Sequence, residues 1–103
     1  MELIQDGQRL TAQLTGEIDH HTAREMRERI DAAVIRGEIT TLCLDFGGVT
    51  FMDSSGIGLI MGRYRLMQGR GGEVEVVKAS KRMKKLMEMA GLGLLNVIRT
   101  EQK

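Results

Sequence analysis

At 103 residues, with 42% hydrophobic and 28% charged positions, the chain has the composition of one folded domain rather than a disordered tract. Its 15 basic and 14 acidic residues leave a net charge of +1, which excludes a nucleic-acid binder that relies on basic excess; with no Trp and only three aromatics, it also lacks a base-stacking platform. No apolar run approaches the roughly 18 residues of a membrane helix, Met1–Asp6 has no basic stretch followed by an apolar core, and Cys43 is the only cysteine. No membrane span, secretory signal or internal disulfide is therefore expected, and a bacterial-type cytosolic setting fits.

Leu10, Ala12 and Leu14 alternate with polar residues over Arg9–Leu14, the pattern of a half-buried strand. Leu3-Ile4 stands across Asp6-Gly7, a turn signal, so a hairpin is expected there. Gly16 to His21 reads as a loop. Thr22 and Glu25 are spaced as a capping box opening a helix whose apolar stripe is Ala23, Met26, Ile30, Ala33 and Val34, with Gly37 as its stop.

Leu42–Phe46 is a short, nearly continuous apolar run, as in a strand covered on both faces. Cys43 inside it reads as a buried, inert thiol. Gly47-Gly48 should break the strand, and Val49–Met52 leads into Asp53-Ser54-Ser55-Gly56. Asp and Ser satisfy free N–H groups at helix starts, so this is a strand-to-helix turn where an anion would be tolerated. The helix is expected over about Ser55–Gln68, with Ile57, Ile60, Met61 and Tyr64 as its apolar stripe. Gly56, Gly58 and Gly62 each weaken it by roughly 1 kcal/mol relative to alanine, which calls for close approach of the sheet or of a partner.

Gly69–Gly72 is the exit turn; Val74, Val76 and Val77 form the next strand. Ser80 caps a further helix with Met83, Leu86, Met87 and Ala90 as its stripe. The first turns of that helix are basic, the wrong sign for its dipole; a solvated face, or an anion or partner contact, would explain this. Gly91 stops it, and Leu94, Leu95, Val97 and Ile98 suggest a last strand. Strands joined through helices imply an α/β domain with partly parallel pairing.

The catalytic templates fail. The nucleophile-elbow pattern is broken around both Ser54 and Ser55. Gly56 and Gly58 begin a dinucleotide fingerprint, but position 61 is Met and no P-loop lysine follows Gly62. His20-His21 has no spaced third ligand and reads as polar surface, so no metal or cofactor is expected. What remains is a hydroxyl at a helix start among small residues.

Gly16–Ala23 (GEIDHHTA) and Phe51–Tyr64 (FMDSSGIGLIMGRY) closely resemble the anti-sigma factor antagonists of sporulating bacteria, the anti-anti-sigma factors of the sporulation sigma-F switch, which belong to the STAS domain class. The resemblance spans nearly the whole of residues 1–103, including Ala90-Gly91-Leu92. It implies a mixed sheet of four to five strands with helices packed on it. It also implies partner switching: the unmodified protein binds a dimeric, nucleotide-bound anti-sigma factor that is also a serine kinase, and so frees the sigma factor. The kinase phosphorylates the serine directly after the motif Asp, binding is lost, and a serine phosphatase restores it. By position the phosphoacceptor is Ser54, flanked by Asp53 and Ser55. Asp19 matches a partner-contacting position, and Gly56, Ile57, Gly58 and Gly62 would form the contact face. Family members often continue into a further C-terminal helix, whereas this sequence ends at Lys103. Other readings are a STAS regulatory module of another signalling assembly or a weak nucleotide-binding domain.

Overall fold

The computed structural model describes residues 1–99. Its elements are β1 (Glu2–Asp6), β2 (Arg9–Ile18), α1 (His20–Gly37), β3 (Thr41–Met52), α2 (Ser54–Gly69), β4 (Glu73–Val77), α3 (Lys81–Met89) and a 3₁₀ turn over Leu92–Leu95. The four strands lie in the order β1-β2-β3-β4. β1 and β2 form the antiparallel hairpin expected across Asp6-Gly7, and β2, β3 and β4 run parallel through the helical crossovers.

Register explains the core. Leu10, Leu42 and Val74 sit in one row across the sheet, and Leu3, Ala12, Leu44 and Val76 in the next. All but the half-buried Leu3 are buried, under Met26, Ile30 and Val34 of α1 and Leu59, Ile60 and Met67 of α2. The alternate rows carry Thr11, Gln13, Cys43, Asp45 and Glu75, with Arg9 and Glu75 paired at 2.9 Å. The β3 run Leu42–Phe46 is buried on both faces as expected, with the helices on one face and polar side chains on the other. Cys43 is buried among polar neighbours on the opposite face, and burial holds its thiol protonated above the ordinary range.

Several boundaries differ from expectation. Gly16, at φ +77°, lies within β2, which continues to Ile18, so this segment is strand rather than loop. Gly47-Gly48 does not end β3: the register slips by one residue there and again near Thr50, giving bulges that keep the strand paired to Met52. The Asp45 carboxylate accepts from the Gly47 N–H at 2.8 Å and holds the first bulge. In α2 the fully buried positions are Gly56, Leu59, Ile60, Arg63 and Met67; Ile57, Met61 and Tyr64 are only half-buried. In α3 only Met87 is buried. The expected last strand is a 3₁₀ turn followed by a single bridge from Ile98 to Val76. Helix α1 ends on Glu38, which takes the left-handed conformation at φ 52° directly after Gly37.

Candidate functional site

The site is built where two parallel strands end together. Ile18 pairs with Met52, and the Asp53 N–H donates to the Ile18 carbonyl at 3.3 Å. The next residue on each strand, Asp19 and Asp53, is the N-cap of the helix that follows. Two helix N-termini therefore stand side by side at the C-terminal edge of the parallel sheet, the edge where open α/β sheets place ligands.

Asp19 accepts from the N–H groups of His21 and Thr22 at 2.9 and 3.0 Å, while the Thr22 hydroxyl accepts from the Asp19 N–H at 2.8 Å. The capping box is thus Asp19 with Thr22, not Thr22 with Glu25. The helix begins three residues earlier than Thr22-x-x-Glu25 implies, because Asp19 is also a strong cap residue and closes the first turn. The N–H of Thr22 in particular holds the Asp19 carboxyl below its ordinary range. His20 and His21 are consequently in the first turn of α1, ring centroids 5.9 Å apart, rather than in a loop. Among the described residues no three potential ligands converge on a metal position.

At α2, the Asp53 side chain accepts from the Ser55 N–H at 2.7 Å, so the aspartate is the cap and neither serine is. Ser54 is the first helical residue; its side chain is exposed and its hydroxyl bonds to none of the described residues. Ser55 is half-buried.

The glycines divide. Gly56 is buried, and a methyl group there would stand 2.5 Å from Met52 Cγ and Sδ. It lets α2 lie close to the end of β3 and offers no surface, which corrects its place in the expected contact face. Ile57 is half-buried and packs on the core. Around Gly58 and Gly62 the space beyond the backbone is open to 4 Å. They line a groove of about 420 Å³ between α1 and α2, together with Ser55, His20, Arg24 and Arg27. The two arginines give the groove a basic wall. The apolar stripe of α1 does not reveal it, because periodicity places Arg24 and Arg27 only off the buried face and says nothing of a neighbouring helix.

Arg63, also at the groove, is a buried charge, 6% exposed. Its Nε lies 2.7 Å from Asp31 Oδ1, an ion pair that ties α1 to α2. Burial lowers the Arg63 pKa and raises that of Asp31; the mutual attraction offsets only part of the desolvation.

A family profile described as "Mlab, STAS domain" matches residues 1–98, and with this strand and helix order it makes the class a STAS domain. The anti-sigma F factor antagonist of Lysinibacillus sphaericus is 38% identical over 90 residues, covering 87% of this chain and 77% of that protein. The anti-sigma factor antagonist SpoIIAA in its unphosphorylated form superposes with a TM-score of 0.86 at 30% identity, over 99% of this chain and 88% of the other. The phosphorylated form of the Bacillus cell fate determinant SpoIIAA superposes with a TM-score of 0.79 at 31% identity, over 99% and 91%. Within the STAS class, the chain belongs to the anti-sigma F factor antagonists, a regulatory rather than catalytic family.

Proposed function

We propose that this protein is a partner-switching antagonist with Ser54 as its switch. Unmodified, it binds a dimeric, nucleotide-bound anti-sigma factor that is also a serine kinase, and the sigma factor is released. The kinase transfers a phosphoryl group to the Ser54 hydroxyl, the modified antagonist lets go, and a serine phosphatase resets it in the cytoplasm.

The single observation that carries this reading is the placement of Ser54. Its side chain is exposed as the first residue of α2, while Asp53 alone closes the helix start. Modification therefore removes no internal bond. Asp19 stands at the same sheet edge, and Gly58 and Gly62 leave the groove between α1 and α2 open. A partner can approach the helix backbone closely there.

A phosphate brings about −1.5 to −2 charges at neutral pH. The helix N-terminus favours an anion, so the domain tolerates it. An interface fitted to a small hydroxyl does not, and a loss of about 3 kcal/mol lowers affinity by more than about a hundredfold. Incubation with the kinase partner and ATP is expected to add one phosphate, on Ser54, and none to Ser54→Ala. Phosphopeptides mapping to Ser80 or Thr22 would overturn the assignment.

A further inference from the structure

We infer that the groove between the end of β3 and α3 docks an acidic segment of the anti-sigma factor that inserts an apolar side chain. This contact is separate from the α1–α2 groove; only the identity of the partner rests on the antagonist reading.

Helix α3 is amphipathic, yet among its residues only Met87 is buried. Leu86 and Met89 are 37% and 77% exposed, and Phe51, facing them from β3, is 49% exposed. With Met83 they line a depression of about 280 Å³ rimmed by Arg82 and Lys85. Contiguous apolar surface of this kind, ringed by charge, marks a binding site, and methionines suit one because they repack around a ligand.

The occupant's chemistry follows from the charges. Arg82 and Lys85 rim the depression, and with Lys81 and Lys84, which lies at a separate hollow beside Gly47 and Lys78, they crowd the first turns of α3, where the helix dipole opposes cations. Among the described residues none of the four is paired with a carboxylate. Carboxylates from outside would relieve both the crowding and the dipole. A flat anionic membrane would meet Met89 but leave the depression beside Phe51 empty; a protruding side chain flanked by acids fills it.

Position also favours the same partner. Phe51 and Met52 lead directly into Asp53 and Ser54, so the groove opens at the sheet edge that carries the switch. One protein covering Ser54 would reach both.

The test is calorimetric titration of the full chain with purified anti-sigma F factor. Met89→Ser and Leu86→Ala are expected to lower affinity about tenfold each while melting like the parent, since neither side chain is buried. Lys85→Glu is expected to weaken binding chiefly at low salt and to flatten its salt dependence. If the parent itself fails to bind, the antagonist reading falls and this inference with it. If the parent binds and Met89→Ser and Leu86→Ala bind equally well, only the docking groove is overturned. A dimer in sedimentation, or pelleting with phosphatidylserine vesicles, that Met89→Ser abolishes without changing anti-sigma affinity would likewise assign the groove elsewhere.

Discussion

An alanine at Gly56 would press its methyl against Met52, itself buried at the end of β3, whereas alanines at Gly58 and Gly62 meet nothing within 4 Å. The three positions therefore separate stability from recognition. Gly56→Ala is expected to destabilise the fold by about 1–3 kcal/mol in urea unfolding, since Met52 must leave its packed rotamer. Gly58→Ala and Gly62→Ala are expected to stabilise it by up to about 1 kcal/mol each, through helix propensity and a less flexible unfolded chain. Both should nonetheless weaken anti-sigma factor binding in the same titration. Unchanged binding by the stabilised variants would remove these glycines from the interface. The sequence marks all three alike as helix-weakening; which of them faces inward depends on where the end of β3 places Met52.

At the scale of elements, α1 and α2 are held in register by Arg63 and Asp31 as well as by apolar contact. Removing Arg63 leaves the half-buried Asp31 carboxylate without its partner and opens a cavity beside it. Arg63→Ala is expected to cost about 3 kcal/mol by chemical denaturation. The double variant Arg63→Met with Asp31→Leu is expected to return to within about 1 kcal/mol of the parent, since desolvation opposes the pair from both sides. A double variant as unstable as the single would mean that the ion pair, and not mere filling of that space, holds the helices together. The amphipathic stripe of α1 and the Ser80 cap of α3 were legible in the sequence because spacing and cap chemistry are local. The α2 stripe was legible only in part: Ile60 is buried and Ile57, Met61 and Tyr64 pack against the core, but the deepest positions also include Leu59, Arg63 and Met67. Three glycines blur its periodicity, and Arg63 takes an inward position that no periodic reading assigns to a cation.

At the scale of the whole molecule, the same chain resembles SpoIIAA in both its unphosphorylated and phosphorylated forms, so a switch that leaves the fold in place is the economical reading. Ser54→Asp is accordingly expected to melt within about 3 °C of the parent, a shift worth less than about 1 kcal/mol in a domain of this size. It is also expected to lose anti-sigma factor binding. A large drop in melting temperature would assign the serine a chiefly structural part.

Composition, the two motif blocks and the alternation of strand and helix signals sufficed for the class, the hairpin, the parallel arrangement and the position of Ser54 after its aspartate. These are properties of local spacing and of chemistry carried by adjacent residues. Tertiary structure decided what depends on neighbours distant in sequence. It paired Ile18 with Met52, so that the Asp19 and Asp53 caps stand together, and it turned Gly56 inward while leaving Gly58 and Gly62 open. Among the described residues it also left Leu86 and Met89 of α3 exposed beside the half-buried Met83 and the buried Met87, where the hydrophobic stripe alone would have buried Leu86 as well. A periodic pattern states which face of an element is apolar; only packing determines whether the same chain or a partner covers it.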